Sequence, residues 1–306
     1  MKKILAAAAV TCDLRGHVHQ LPKGNEDIEP VSLSQRLGGA GTYMGRVWNG
    51  LHLPYELLAC AGSGVYGDAV KQMAQKEQLP LMHESDDIQG CTYHLIDDQG
   101  RQAEMDVPGA EYSFDEDWMA YEDSKDYNSL VLADDLLSGP DADTMLETLS
   151  WLECPVFLNA SAGLDKMDKD ILASVLGMKP MVFLPAADLL AWAGTGSDIA
   201  KAAKLLHKET DAPVIVYTGK EGLYVEDGSQ QLRTPDEDEM ASWNQEQLDT
   251  CAAAFAAAMA SGSDLRNAVM FARDLTLRFV KNKGVMEEFD WQEQKQRLVH
   301  ILTWKA

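Results

Sequence analysis

Long apolar runs are missing from this sequence. The longest uncharged ones, Ile4 to Val10 and Ala252 to Ala260, fall far short of the roughly 20 residues that a bilayer-spanning helix needs. The first follows Lys2-Lys3 but leads straight into Asp13-Leu14-Arg15, which suits a buried strand better than a signal peptide. Cysteine is sparse: Cys12, Cys60, Cys91, Cys154 and Cys251 are odd in number, far apart and without a CxxC pair. Neither a disulfide framework nor a zinc site is expected, and a reducing cytoplasm fits. Basic residues are few, 26 against 49 acidic ones, for a net charge of −23. That balance argues against nucleic acid or an anionic membrane as partner. It also opposes an anionic substrate unless the pocket is locally basic or metal-assisted.

What is present suits a folded α/β chain. With 306 residues, 46% of them hydrophobic, the chain can bury a substantial core. Ile4 to Val10 reads as a buried strand, Gly38 to Leu51 as a glycine-opened helix, Tyr55 to Ala61 as a strand and Ala69 to Glu77 as a helix. Short apolar runs then recur between helical segments at Ser129–Ala133, Val156–Asn159, Met181–Leu184 and Val214–Thr218. Strands alternating with amphipathic helices predict a mostly parallel sheet covered on both faces. The polar stretch His17 to Leu37, and a hairpin over Thr92 to Val107 turning at Asp97-Asp98-Gln99-Gly100, predict a small β layer over the sheet edge. In such a fold ligands bind beyond the carboxyl ends of the strands, so that layer would act as a lid. The acidic runs Glu84-Ser85-Asp86-Asp87 and Asp236 to Glu239 read as solvated loops, and His17-Val18-His19 as a polar lid strand without a third metal ligand.

Asp249 opens an alanine-rich helical run, Thr250 to Met259. A carboxylate in the first turn of such a helix can serve as a general base beside a bound anion, because helix-end N–H groups stabilise negative charge. An anion cradle normally uses glycine so that backbone amides can close on phosphate. The preceding Ser242-Trp243-Asn244-Gln245-Glu246-Gln247-Leu248 has none.

The order of these pieces resembles the ribokinase-like (PfkB) family of carbohydrate and nucleoside kinases along almost the whole chain. Gly38-Gly39-Ala40-Gly41-Thr42-Tyr43 through Gly62-Ser63-Gly64-Val65-Tyr66-Gly67 follows the family's first signature without gaps. The hairpin ends on the family's Pro-Gly-Ala at Pro108-Gly109-Ala110. With Asp249 at the catalytic position, Phe255 and Gly262 fall where the second signature places an aromatic residue and a helix-ending glycine. A rival register puts Ala253 there but deletes about one helical turn.

The resemblance implies a ribokinase-like three-layer α/β sandwich, one domain over 1–306, with lid segments at about 14–37 and 89–111. ATP and Mg2+ are its implied cofactors, and a sugar, polyol or nucleoside its implied ligand. Asp249 would be the catalytic base. Asp13, expected at the end of the first strand, with Gly38, Gly39 and Tyr43, would bind substrate. Asp188, Gly219, Gly222, Glu246 and Leu248 would face the nucleotide. No protein metal ligand set is implied, and the family's dimers pair through their lids.

Several positions depart from the pattern. Tyr43 replaces a sugar-binding asparagine, Asn159-Ala160-Ser161 an Asp-x-Asn pattern, and Gly163 an arginine. Pro185-Ala186-Ala187-Asp188 replaces Asn-x-x-Glu, Tyr217 a threonine, and Glu246-Gln247-Leu248 the Gly-Ala-Gly anion hole. A Glu246 carboxylate about 5 Å from a phosphoryl oxygen would repel it by roughly 3 kcal/mol at an effective dielectric near 20. Impaired phosphoryl transfer with retained small-ligand binding is therefore the first expectation. An active sugar or nucleoside kinase and a structural or regulatory dimeric partner are the alternatives.

Overall fold

The computed structural model describes residues 2–282 and 289–303. Its main sheet contains β1 (Lys3–Ala7), β4 (Tyr55–Ser63), β5 (Leu81–Ile88), β8 (Tyr127–Ala133), β9 (Val156–Asn159), β10 (Met181–Pro185), β11 (Val214–Tyr217), β12 (Leu223–Glu226) and β13 (Gln231–Arg233). The strand order is β13-β12-β11-β10-β9-β8-β1-β4-β5. All neighbours are parallel except the first two pairs, β13–β12 and β12–β11.

A second sheet of four strands joins β2 (Thr11–Val18), β3 (Ser32–Gly38), β6 (Cys91–Asp97) and β7 (Gln102–Val107) in the order β3-β2-β6-β7. The helices are α1 (Ala40–Leu51), α2 (Gly64–Glu77), α3 (Asp134–Leu137), α4 (Ala142–Leu149), α5 (Lys169–Gly177), α6 (Ala186–Ala193), α7 (Ile199–Thr210), α8 (Gln245–Ala260), α9 (Leu265–Lys281) and α10 (Trp291–Thr303).

The strand β1 shows why three layers form. Its residues are apolar without alternation, as a strand buried on both faces requires. Ile4, Ala6 and Ala8 pack into one core with Trp48 of α1, Phe255 of α8 and Leu275 of α9. Leu5, Ala7 and Ala9 pack into the other with Leu146 of α4, Val175 of α5 and Leu206 of α7. The alanine-rich α8 is buried along nearly its whole length, as a helix with small residues on every face must be. Trp48 Nε1–H donates to the Ala253 carbonyl at 3.1 Å and ties α1 to it.

The expected α/β sandwich is thus the observed one, with three local differences. The first strand stops at Ala7, and the chain begins a strand of the second sheet at Thr11, so Asp13 lies within β2 instead of ending the first strand. Glu84-Ser85-Asp86-Asp87 belongs to the edge strand β5 instead of a loop. An edge with one face in solvent tolerates such a charged run. The helix carrying Asp249 starts at Gln245, four residues earlier than its alanine run suggests.

Candidate functional site

The early start of α8 has a local cause. Asn244 is the N-cap: its side chain accepts from Gln247 N–H at 3.4 Å, and Gln247 Oε1 accepts from Asn244 N–H at 2.9 Å. This reciprocal capping box satisfies amides that a helix end otherwise presents to a ligand. It also moves Asp249 into the second turn, where it is only 1% exposed. There Oδ1 accepts from Asn159 Nδ2 at 2.7 Å, Ser161 Oγ at 2.8 Å and Gln245 Nε2 at 3.1 Å. Burial pushes the Asp249 carboxyl up to about 7; the bonds from Asn159 and Ser161 oppose the rise, the charge of Asp135 adds to it, and the Gln245 bond opposes it.

The second sheet supplies the opposite wall. Asp13 Oδ1 accepts from Thr11 Oγ1 at 2.8 Å. His94 sits between two carboxylates, Nε2 at 3.3 Å from Asp13 and Nδ1 at 3.3 Å from Glu104. Burial raises the Asp13 carboxyl, but bonds from His94 and Thr11, with the charges of His94 and Arg36, outweigh it and hold the group below its ordinary value. Gly38 and Gly39 leave room for this arrangement. A Cβ on Gly38 would stand 2.1 Å from Asp13 Oδ1, and one on Gly39 would stand 2.4 Å from the Ala9 carbonyl, where φ is already +79°.

Between these walls Arg36 makes a bridge that the sequence did not reveal. One guanidinium nitrogen lies 3.1 Å from the Tyr43 hydroxyl and 3.1 Å from Glu246 Oε2. Burial, then the Glu246 charge, raise the Tyr43 phenol above its ordinary value. Glu246 is therefore a paired carboxylate, and the repulsion expected of a bare one is largely offset by Arg36. The obstacle at this end is occupancy by the capped helical turn and its ion pair.

Asp134 and Asp135 also line the cavity and were not singled out. The acidic pair directly after the apolar run Ser129–Ala133 was the available signal. Asp135 accepts from the backbone N–H of Ala9 at 3.2 Å and Ala40 at 3.3 Å. Asp134 accepts from those of Ala162 at 2.5 Å and Gly163 at 3.2 Å. The two carboxylates hold together the ends of β1 and β9 and the start of α1. Burial pushes both carboxyls up, most strongly at Asp134, where Asp135 adds its charge. The half-open cavity between the walls is about 380 Å³ and brings together Asp13, Gly39, Tyr43, Glu246 and Asp249.

Family comparison decides the affiliation of this architecture. The description "pfkB family carbohydrate kinase" matches residues 1–290. The chain belongs to the pfkB family. Solved structures agree at the level of fold. Ribokinase from Thermotoga maritima superposes with a TM-score of 0.81 at 17% identity, covering 98% of this chain and 100% of that one. Ribokinase from Arabidopsis thaliana, complexed with ribose and ATP, gives 0.79 at 17% identity with 99% of each chain covered. Phosphofructokinase-2 from Escherichia coli, in complex with fructose-6-phosphate, gives 0.75 at 17% identity, covering 99% and 100%. A search of curated protein sequences gave no match.

Of the pfkB residues expected at the nucleotide, Glu246 lines this cavity, and Asp188, Gly219, Gly222 and Leu248 lie outside its lining. Asp188 lies in the first turn of α6, near enough to Gly163 that a Cβ there would be 3.2 Å from its Oδ1. Pro185 caps that helix without a side-chain bond. Gly219 and Gly222 both adopt positive φ in the turn after β11, and a Cβ on Gly222 would meet Thr234 Oγ1 at 2.3 Å. Leu248 is buried in the core around α8.

Tyr217, in place of the family's threonine, stacks on Trp243 with centroids 5.5 Å apart and planes within 1°, and its hydroxyl donates to the Met240 carbonyl. Glu237 N–H donates to the Lys220 carbonyl at 2.8 Å and ties this turn to the segment leading into α8. The glycine turn is present, and at the start of α8 the Gln247 amide is bonded to Asn244 within the protein.

His17 Nε2 and His19 Nδ1 both reach Asp98, at 3.2 and 3.0 Å, so that alternating pair fastens the lid turn. Among the described residues no helix is long and apolar enough to cross a membrane.

Proposed function

We propose that this chain is a pfkB carbohydrate-kinase homologue that binds a small sugar, polyol or nucleoside between its lid and α8, with phosphoryl transfer impaired or lost. One observation carries this reading. The turn Gln245–Leu248, closed by the Asn244–Gln247 box, stands where the family resemblance puts a glycine anion hole. Helix-end amides already bonded to their own cap are poor donors to a phosphoryl group, and loss of one preorganised donor typically costs about 3 to 4 kcal/mol of transition-state stabilisation. The lid sheet and Asp249 belong to one domain in this reading, and the five unpaired cysteines suit a reducing cytoplasm.

A coupled assay for ADP release across sugars, polyols and nucleosides tests it. No turnover above an Asp249→Asn control is expected. Turnover that disappears only in that variant would overturn the reading.

The second reading, an active sugar or nucleoside kinase, rests on the carboxyl of Asp249 being raised to about 7. A base with that value is half-ionised near neutrality and suited to taking a hydroxyl proton. Asp13, Gly38 and Gly39 would then orient the substrate, and activity would rise with pH through about 7 as Asp249 loses its proton.

A homodimer paired through the lid is part of the proposal. Leu33 and Met105, on the face of the lid sheet opposite Asp13, are 69% and 56% exposed. Large apolar side chains on a sheet face otherwise left to water favour a second copy.

A further inference from the structure

We infer that the ligand of this pocket is a hydroxylated amine, an amino sugar or amino polyol, and that Asp134, Asp135 and Asp249 hold its ammonium group. The inference rests on the reading that the lid-covered pocket binds a small hydroxylated molecule. Its basis is the distribution of charge around the cavity. Six carboxylates line it, those of Asp13, Glu104, Asp134, Asp135, Glu246 and Asp249. Three of them have a basic side chain alongside: His94 stands 3.3 Å from both Asp13 and Glu104, and Arg36 stands 3.1 Å from Glu246. The other three do not.

The loop after β9 draws these three together. Ser161 Oγ donates to Asp249, while the N–H groups of Ala162 and Gly163 donate to Asp134, next to Asp135. Every donor to the three is neutral, either a backbone amide or the side chain of Asn159, Ser161 or Gln245. Such bonds orient a carboxylate without cancelling its charge. Those to Asp134 fall on Oδ2 and those to Asp249 on Oδ1, so among the described residues each keeps one oxygen with no donor. Burial raises all three carboxyls, and the charge of Asp135 adds to the rise at Asp134 and Asp249. A cation among them relieves both effects.

A second observation points to a ligand. Asn159 is 2% exposed; its Nδ2 donates to Asp249 at 2.7 Å, and its Oδ1 is buried with no partner. Buried acceptors avoid that state unless something outside the chain supplies the donor. An ammonium has three donors and no acceptor, which matches two open carboxylate oxygens and one open amide oxygen. A bare metal ion fits less well, because among the described residues no group of three or more His, Cys, Asp or Glu is placed to hold one. Arg15 also lines the cavity, but from the lid strand β2, on the wall opposite α8. Asp13 on that strand is left for hydroxyls, and the cavity of about 380 Å³ is near the lower end for small-molecule sites.

Titration calorimetry on the full chain at neutral pH tests this with matched probes: sorbitol against glucamine, and glucose against glucosamine. In at least one pair the amine should bind roughly ten- to a hundredfold more tightly, the usual effect of charge-assisted hydrogen bonds. Asp134→Asn should remove most of that preference; if circular dichroism shows that this variant does not fold, Asp249→Asn gives the same comparison. Magnesium chloride should not displace the bound amine. An amine that binds no more tightly than its neutral partner in both pairs, a preference unchanged in the folded variant, or displacement by magnesium would contradict the inference and leave the pocket reading intact. Absence of binding by every probe would contradict both.

Discussion

An aspartate enclosed as Asp249 is costs stability whenever it must be ionised. Its folded value is about 7 against an ordinary 3.8. Below the ordinary value both folded and unfolded chains hold the proton; between the two values only the folded chain does, so its stability falls as pH rises through that window and levels off above it. At about 1.4 kcal/mol per unit the full effect approaches roughly 4 kcal/mol. Asp249→Asn keeps an oxygen for Asn159, Ser161 and Gln245 but removes the titration. In urea melts the variant should gain on the native chain by about 2 to 4 kcal/mol between about pH 4 and about pH 8; a pH-independent difference would refute the assigned burial. Gly39→Ala acts through the backbone instead, forcing a Cβ to 2.4 Å from the Ala9 carbonyl at positive φ. A loss of roughly 2 to 4 kcal/mol is expected in the same melts. The sequence offered both positions as site candidates, and both line the same cavity. The partners that tune Asp249 were not, because Asn159 and Gln245 meet it only through the tertiary fold.

Most elements could be read from apolar runs, since a strand buried on both faces is written as an unbroken hydrophobic stretch. The start of α8 could not be read from its alanines, yet Asn244-x-x-Gln247 is a capping-box spacing visible in the sequence. Asn244→Ala should cost about 1 kcal/mol of stability, measured by denaturant unfolding. The Arg36–Glu246 pair joins β3 to the first turn of α8, with 29% and 16% of the two side chains exposed. Removing Arg36 alone leaves Glu246 partly buried without its cation. A double-mutant cycle with alanine at both positions should give a coupling of about 1 kcal/mol, lower in high salt. No coupling would mean that the pair does not hold the lid to the helix. The edge strand β5 escaped the periodicity argument because Glu84 to Asp87 carries the signature of a loop. Its pairing to β4 overrides local composition.

At the scale of the whole molecule, the net charge of −23 opposes self-association, while the exposed Leu33 and Met105 favour it. The apolar face should prevail, giving a dimer by light scattering at micromolar concentration. Leu33→Asp with Met105→Asp should convert it to monomer without changing the melt of the main sheet, and a native monomer would remove the lid interface from the account. The pfkB fold was legible because its signatures hold their order along the chain. The absence of glycine just before Asp249 was legible, and the capped helical turn and arginine bridge found there required coordinates. The most direct measurement is calorimetric titration of the full chain with Mg-ATP. The account predicts no saturable binding, since the Gln247 and Leu248 amides are already bonded to Asn244 and no glycine precedes Asp249 in that turn. Saturable binding with micromolar affinity would contradict it.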